Sequence, residues 1–226
     1  MSNLSDHGPL WEELDPDVAA AISTPVLADS LDACGARRQV LRPGISPMTA
    51  ADRAAGRAHT ASFVPDERDS DDPYGPAIDF IDGLTPGSMA VIATGGDNRT
   101  AYWGELFSAA ALGHGCAGTV TDGPSRDLPK VEALAYPLFS AGSRPVDYRA
   151  RMAIVSVGSP VEVGGVTVSP GDLVLADRDG VVAVPQTLER EALARAAERM
   201  RAESSVLAEL LGGASLRQVW ETWRVL

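Results

Sequence analysis

The chain has 226 residues, of which 45% are hydrophobic and 22% charged, and its formal net charge is −12. This length suffices for one well-buried domain, and the acidic charge repels polyphosphate, which argues against sequence-independent binding of nucleic acid. The two cysteines lack metal-ligand spacing, and neither a leader peptide nor a run of ~18 apolar residues occurs, so we expect a soluble, cytoplasmic protein with no zinc site, disulfide framework or membrane span.

Helices and strands are predicted to alternate through the first 140 residues. Residues 1–22 are polar and predict an arm with a short helix. A helix follows, with Thr24 as its cap, Pro25 in its first turn and Gly35 at its end. Further helices are predicted at 77–82 and 104–112, and short strands at 40–45, 56–63, 89–94, 119–122 and 137–140. The segment 66–72 is an acidic loop that cannot bury itself.

From residue 153 the pattern changes to short β-branched runs separated by turn residues. Gly164-Gly165, Pro170-Gly171 and Asp179-Gly180 mark these turns, which is typical of hairpins or a small barrel. A long helix is predicted over 188–211 and a short one over 215–223, with Gly212-Gly213 between them. We therefore divide the chain into an arm at 1–22, a domain at 23–186 and a helical extension at 187–226.

Several segments resemble the RraA-like family. In chain order they are TPVLADSLDACG from 24, GRAHTASF from 56, GEL from 104, GCAGTVTDG from 115, Arg126-Asp127, YPLFSAG from 136 and GGVTVSPGDLVLADRDGVVAVP from 164. The family includes 4-hydroxy-4-methyl-2-oxoglutarate aldolases, oxaloacetate decarboxylases and RraA, a protein inhibitor of an endoribonuclease. The resemblance implies an α/β fold, a three-layer β/β/α swivelling domain that assembles into homotrimers or hexamers with active sites where subunits meet.

The resemblance also assigns roles to residues. Cleavage of a carbon–carbon bond next to a 2-oxo acid leaves a pyruvate enolate, whose charge a divalent metal would stabilise. Asp127 resembles the family's ligand for Mg²⁺ or Mn²⁺, with water and substrate in most other positions. Arg126 is similar to the cation that contacts the keto or enolate oxygen. Glu203 aligns loosely with an acidic residue that reaches the metal site of a neighbouring subunit, although solvation on a helix explains it as well.

The backbone N–H groups of the turn Gly104-Glu105-Leu106-Phe107 open a helix. Free donors and the positive end of the helix dipole would receive the substrate carboxylate there, and Gly104 would permit close approach. Glu105 is either a group of the site or a first-turn acid that complements the dipole. Asp122, which precedes Gly123, is interpreted as a turn former.

Lys130, the only lysine of the chain, departs from the family pattern. In the aldolases this position carries an acidic residue that supports the metal's water shell, and an ammonium there should weaken Mg²⁺ binding. Three explanations stay open. Lys130 would pair with an extra carboxylate of the substrate at a weaker metal site, or it would form an imine without metal, or the chain would have lost catalysis and act as a binding protein.

The sequence thus predicts a metal-dependent lyase that releases pyruvate from a 4-hydroxy-2-oxo acid or a 2-oxo dicarboxylate. The alternatives are a non-catalytic, protein-binding oligomer, for which the acidic loop would offer a surface, and a diverted reaction in a specialised biosynthetic pathway. The expected partners are a small 2-oxo acid and further copies of the chain, with neither nucleic acid nor membrane.

Overall fold

A computed structural model describes residues 8–225, so Leu226 and the first seven residues of the predicted arm lie outside the described residues. The chain divides into two units. One is Arg38–Gln186, and the other combines the residues up to Arg37 with those from Thr187 onward. The three-part division predicted from the sequence stays a prediction.

The unit Arg38–Gln186 contains one eight-stranded sheet and a separate hairpin. The sheet strands are β1 (Ser46–Pro47), β2 (Ala54–Pro65), β3 (Ser88–Ala93), β4 (Gly118–Thr121), β5 (Leu138–Ser140), β6 (Met152–Val157), β9 (Leu173–Ala176) and β10 (Val181–Val184), and the hairpin is β7 (Val161–Val163) with β8 (Val166–Val168). The sheet order is β1-β5-β4-β3-β2-β9-β10, with β6 also paired to β2. Neighbours among β2 to β5 are parallel, and the other pairs are antiparallel.

Three helices connect the parallel strands. They are α3 (Gly75–Asp82), α4 (Glu105–Gly113) and α5 (Leu128–Ala133), each lying between two neighbouring strands in the chain. The carboxyl ends of parallel strands meet at one edge of a sheet. The loop from β3 to α4 and the loop from β4 to α5 therefore begin side by side, and each delivers a helix N-terminus to that edge.

Alternate residues of the buried strands pack on opposite faces of the sheet. On β3, Met89 and Val91 belong to a core that also contains the hairpin valines, whereas Ala90 and Ile92 belong to a core that contains residues of α3, α4 and α5. This period of two follows from the pleat of a strand. Hairpin, sheet and helices thus form three layers, as the resemblance implied.

Helix α3 shows how the sequence specifies this packing. Pro76 stands in its first turn, where a missing N–H costs nothing. Its buried residues Ala77, Phe80 and Ile81 have the spacing that places them on one helix face. Burial of each large apolar side chain stabilises the unit by about 1.5–3 kcal/mol.

The predicted strand at 40–45 is wrong. The structure has only an isolated bridge between Val40 and Val182 in this segment, followed by the two-residue strand β1. Pro43 has no N–H to donate, and Gly44 has a φ of 103°, so an extended ladder cannot continue through them. The other predicted strands and helices are found, with ends that differ by a few residues.

The second unit is helical. It contains a 3₁₀ turn (Trp11–Glu13), α1 (Pro16–Ala21), α2 (Thr24–Ala33), α6 (Glu189–Leu211) and α7 (Leu216–Trp223), and α2 packs on α6. The cap position of α2 is Ser23, not Thr24, because Thr24 is already helical. Across residues 8–225, none of the helices combines the length and the apolar character that crossing a bilayer requires.

Candidate functional site

A cavity of about 510 Å³ lies where the loops after β3 and β4 meet. Every residue that the sequence predicted for the site, except Glu203, lines it: Gly104, Glu105, Leu106, Phe107, Arg126, Asp127 and Lys130. The fold therefore brings together two segments that are about twenty residues apart in the sequence.

The first turn of α4 is fixed from beneath by Trp103. Its indole Nε1 donates to the Ser108 hydroxyl at 2.9 Å, and this hydroxyl donates to the Gly104 carbonyl, also at 2.9 Å. Trp103 is buried, and Phe107 packs edge-on against it with ring centroids 5.6 Å apart. Within the described residues the amides of Leu106 and Phe107 have no acceptor, as expected for the first turn of a helix. These two amides remain available to an anion.

Asp127 has an unusual backbone conformation. Its φ of 57° and ψ of 29° are left-handed, which aspartate tolerates better than most residues. It stands at the cap position of α5, but its carboxylate makes no capping hydrogen bond there. Instead, Oδ2 receives a long hydrogen bond of 3.4 Å from the Glu105 amide. The strained backbone thus turns the carboxylate from its own helix toward the start of α4.

Gly104 permits this approach. A Cβ at this position would lie 2.8 Å from Asp127 Oδ2 and 3.1 Å from Arg126 Cγ. The φ of −163° is ordinary extended backbone, so the glycine is needed for space and not for conformation. A side chain here would displace the Asp127 carboxylate.

Two carboxylates hold the Arg126 guanidinium. Its Nη1 donates to Asp147 Oδ2 at 2.7 Å, and its Nε lies 3.5 Å from Asp127 Oδ2. The Arg126 backbone is fixed as well, since its amide donates to the Trp103 carbonyl at 2.8 Å. The arginine that the sequence predicted is therefore oriented from two sides, and it lines the cavity with a half-buried side chain.

Lys130 pairs with Glu105 across the cavity. Its Nζ lies 2.7 Å from Glu105 Oε2, so the chain's only lysine joins the first turns of α5 and α4. The hydrogen bond to Glu105 raises the pKa of Lys130, and the charge of Asp127 adds to this effect. Lys130 is therefore a protonated ammonium at neutral pH.

Tyr74, Asp147 and Tyr148 also line the cavity, and nothing in the sequence indicated them. Burial, followed by the charge of Asp147, raises the pKa of both tyrosines. Asp147 forms a parallel backbone bridge with Ala101, which lies in the loop before α4, and Tyr148 follows Asp147 in the chain. Asp147 and Tyr148 lie about twenty residues after Arg126 and belong to no recognisable motif. Only the order of the strands in the sheet could have indicated that the loop after β5 returns to the site.

Two acidic residues considered in the sequence are not among the residues that line the cavity, and the contact of Glu203 with the site of a neighbouring subunit stays a prediction. Glu203 lies on α6 in the second unit, where its Oε1 pairs with Arg199 at 2.7 Å. Asp122 is buried and accepts hydrogen bonds from the Thr94 amide and hydroxyl and from the Gly164 amide. Asp122 thus links the loop after β3 to the turn between β7 and β8, and it is not the local turn former that the sequence suggested.

The carboxylate oxygens of the cavity suit a metal ion that is held by few protein ligands. Across residues 8–225 there is no group of three or more His, Cys, Asp or Glu side chains that could hold a metal ion. Glu105 and Asp147 each contact a cation at 2.7 Å, whereas Asp127 has only a longer contact of 3.5 Å with Arg126, so Asp127 is the carboxylate best suited to ligate. Mg²⁺ is commonly bound by one or two carboxylates with water and substrate in the remaining positions. The residues present fit such a site, with Asp127 as its only protein ligand within this unit.

Comparison with known proteins agrees with this architecture. A family model described as "RraA-like: Aldolase/RraA" matches residues 24–183. A Halalkalibacterium halodurans protein named "Putative 4-hydroxy-4-methyl-2-oxoglutarate aldolase" is 29% identical over 178 residues, which cover 79% of this chain and 80% of that protein. Protein DlpA of Legionella pneumophila is 28% identical over 197 residues, or 87% of this chain, but the chain spans only 32% of DlpA.

A solved structure shares the fold. RraAS2 of Streptomyces coelicolor, described as an unusual member of the RNase ES inhibitor RraA protein family, superposes with a TM-score of 0.74 at 28% identity, over 84% of this chain and 96% of its own. The matched segment contains helices α2 to α5, the residues that line the cavity and all the strands except the last residue of β10. The chain belongs to the RraA-like family.

Proposed function

We propose that the protein is a lyase that releases pyruvate from a 4-hydroxy-2-oxo acid or a 2-oxo dicarboxylate. The observation that carries the proposal is the convergence of Arg126, Asp127 and the N-terminus of α4 on one cavity. The aldolase name of the Halalkalibacterium halodurans relative supports lyase chemistry at a general level.

The start of α4 is suited to bind the substrate carboxylate. The free amides of Leu106 and Phe107 point from a helix N-terminus, where the dipole favours an anion. Trp103 and Phe107 form an apolar wall beside these amides, which excludes water and strengthens the interaction. The carboxylate next to the 2-oxo group would thus be fixed at this end of the cavity.

Arg126 would stabilise charge on the 2-oxo oxygen. In aldol cleavage the C3–C4 bond breaks and its electron pair moves toward the 2-oxo oxygen, while the C4 hydroxyl passes its proton to water and becomes the carbonyl of the second product. A proton from water, added at C3, then gives pyruvate. A guanidinium held in place by Asp147 and Asp127 needs no reorganisation as this charge develops, and this preorganisation is a large term in catalysis.

Asp127 would hold a divalent cation, Mg²⁺ or Mn²⁺. When bound, such an ion withdraws electron density from the 2-oxo group. The left-handed backbone of Asp127 and the contact with the Glu105 amide hold the carboxylate at the cavity wall in the free protein.

Lys130 fits a positioning role better than imine chemistry. An imine requires a neutral amine with a lowered pKa, whereas the contact with Glu105 raises the pKa of Lys130. With a substrate that carries a second carboxylate, the ammonium would exchange Glu105 for that group. In the free protein, Lys130 neutralises Glu105.

The alternative function is that of a non-catalytic, protein-binding oligomer. The likeness to RraAS2 supports it, because that protein is described as a member of an RNase inhibitor family. Under this alternative, Arg126 and Asp127 have no chemical role, and substitution of either residue leaves the binding of a partner protein unaffected.

The test is pyruvate release from 4-hydroxy-4-methyl-2-oxoglutarate and from oxaloacetate, with Mg²⁺ or Mn²⁺ and with chelator. We expect release that Asp127→Ala abolishes. Glu132→Gln is the matched control, because Glu132 lies on the same helix but binds the Ala50 amide outside the cavity, and glutamine keeps an acceptor. Release at the parent rate by Asp127→Ala, or no release by the parent with any of these substrates, would contradict the proposal.

A further inference from the structure

Two strongly exposed apolar side chains, those of Ile78 and Leu106, line the site cavity. Ile78, on α3, is 49% exposed, and Leu106, in the first turn of α4, is 78% exposed. Neither residue lines a second cavity of about 420 Å³ beside the acidic loop. Single exposed apolar side chains are common on protein surfaces, but side chains that line a cavity contact whatever the cavity holds. The proposed function gives these two side chains no role.

Helix α3 presents an apolar surface to the cavity that its core packing does not explain. Its buried residues are Ala77, Phe80 and Ile81, and these supply its contacts with the core. Tyr74 and Ile78 are four residues apart, so they lie one turn apart on one side of the helix, and both line the cavity. A helix position that only water contacts usually carries a polar side chain. The isoleucine therefore points to an apolar ligand group at this wall.

Helix α3 borders the cavity on the Asp147 side of Arg126. The Tyr74 ring packs edge-on against the Tyr148 ring, with centroids 5.6 Å apart, and Tyr148 follows Asp147 in the chain. Asp147 holds Nη1 of the guanidinium, whereas Nε faces Asp127, which contacts the first turn of α4. A substrate with its carboxylate on the α4 amides and its 2-oxo oxygen at Arg126 would therefore extend its far end toward α3.

The cations of the cavity already have partners. Among the described residues that line it, the cations are Arg126 and Lys130, and each has a carboxylate at 2.7 Å, from Asp147 and Glu105 respectively. Asp127 adds a third carboxylate, so these side chains carry one negative charge in excess. A distal carboxylate of a substrate would have to displace an existing partner, and it would gain no additional ion pair while adding like charge.

We propose that Ile78 contacts an apolar substituent at C4 of the substrate, so that the protein prefers 4-hydroxy-2-oxo acids with a single carboxylate over diacids. This inference rests on the proposed function and names its substrate class. The cavity of about 510 Å³ has room for such a group beside the 2-oxo acid portion, because ligand cavities span about 300–1,000 Å³. Ile78 is then a specificity-determining residue, and Leu106 adds apolar contact from α4.

The test is calorimetric titration of the parent with two 2-oxo acids that lack the C4 hydroxyl and are therefore not cleaved. They are 2-oxoglutarate and 5-methyl-2-oxohexanoate, in which an isopropyl group replaces the distal carboxylate. The apolar acid should bind about tenfold more tightly or better, because a small apolar group in a matching pocket contributes at least this factor. The preference should hold with and without Mg²⁺, since the ion pairs of Arg126 and Lys130 involve no metal.

Ile78→Ala removes most of the apolar contact. This variant should bind 5-methyl-2-oxohexanoate about tenfold more weakly than the parent does and 2-oxoglutarate equally well. Leu112→Ala is the matched control, because Leu112 is 46% exposed on α4 and lines neither cavity. It should change neither affinity. Both variants truncate half-exposed side chains, so both should keep a Tm near that of the parent.

The outcomes separate this inference from the proposed function. If the parent releases pyruvate but binds the diacid as tightly as the apolar acid, only the inference is wrong. The inference is also wrong if Ile78→Ala weakens both acids equally or neither of them. Ile78 could instead pack against a second copy of the chain, and a smaller particle in sedimentation velocity for Ile78→Ala, with the ratio of the two affinities unchanged, would overturn the inference in favour of that contact. If the parent binds neither acid and releases no pyruvate, the proposed function fails and the inference fails with it.

Discussion

The ammonium nitrogen of Lys130 lies 2.7 Å from the carboxylate of Glu105, and this contact joins the first turns of two helices at the cavity. Both side chains are substantially exposed, so the contact adds little to stability. Its importance is electrostatic. The contact neutralises the charge of Glu105 with that of Lys130, so Lys130 pairs with Glu105 and not with Asp127.

Glu105→Gln should lower the pKa of Lys130. The hydrogen bond to Glu105 raises this pKa above its ordinary value of 10.5, so the stabilising contact is fully present below that value and is lost as the pH rises through the folded-state pKa. Selective ¹⁵N-lysine labelling gives a single Nζ signal, because the chain has one lysine. A titration midpoint that is the same in the parent and in Glu105→Gln would contradict the ion pair.

The control for this titration is Asp127→Asn. Asp127 also raises the pKa of Lys130, but as the smallest of the contributions. The midpoint should therefore fall less in Asp127→Asn than in Glu105→Gln. An equal or larger shift would place Lys130 closer to Asp127 than to Glu105.

Lys130→Glu should tighten the binding of Mn²⁺. The substitution removes a cation near Asp127 and adds a hard oxygen donor beside it. We expect the affinity for Mn²⁺ to rise on the order of tenfold, which corresponds to about 1.4 kcal/mol of binding free energy and is modest for such a reversal of charge. Titration of the metal into the parent, Lys130→Met and Lys130→Glu should give affinities in rising order. Equal affinities for the three would show that the metal, if bound, lies elsewhere.

The sequence was sufficient to predict the parallel strands and the helices between them, because buried β-branched runs and turn residues are local signals. It also indicated Arg126 and Asp127, which lie in a segment that resembles a family and which line the cavity, while their roles stay a prediction. It failed for Val40–Ile45, where Pro43-Gly44 interrupts the apolar pattern and only Val40 forms an isolated bridge, to Val182. Pro43 and Gly44 are local signals against a strand, and the prediction gave them too little weight.

The ion-pair partners of the site residues could not be predicted from the sequence, for a different reason. Asp147 reaches Arg126 because the loop after β5 runs beside the loop before α4, and this depends on sheet order. Lys130 was recognised as a departure from the family, but its partner could not be inferred, since Glu105 is 25 residues away on another helix. Pairs of side chains that come from different loops can be identified only when the fold is known.

Asp122→Ala should destabilise the protein by about 3 kcal/mol, because the buried amides of Thr94 and Gly164 would lose their acceptor. Asp122→Asn keeps one acceptor oxygen and should cost less. The measurement is urea unfolding monitored by circular dichroism. Asp71→Ala, in the exposed acidic loop, is the control and should change stability by less than about 0.5 kcal/mol. If both alanine variants unfold at the parent's midpoint, the hydrogen bonds of Asp122 to Thr94 and Gly164 do not stabilise the fold.

Gly104→Ala should impair activity while leaving the fold intact. The extended backbone at Gly104 accepts alanine, but the new Cβ would lie 2.8 Å from Asp127 Oδ2 and would push the carboxylate aside. Misplacement of a catalytic group by about 1 Å can cost on the order of 10²-fold in rate, so kcat/KM for pyruvate release should fall by a comparable factor.

The matched control for Gly104→Ala is Gly113→Ala, at the other end of the same helix. A Cβ at Gly113 would have no neighbour within 4 Å, and alanine in a helix is favoured over glycine by up to about 1 kcal/mol. Gly113→Ala should therefore keep full activity and the same or a higher Tm. The Tm of Gly104→Ala should also remain near that of the parent, because the displaced carboxylate is exposed and can move. Full activity in Gly104→Ala would mean that the approach of Asp127 to the start of α4 does not matter for the reaction, whereas a large fall in Tm would mean that Gly104 is needed for the fold.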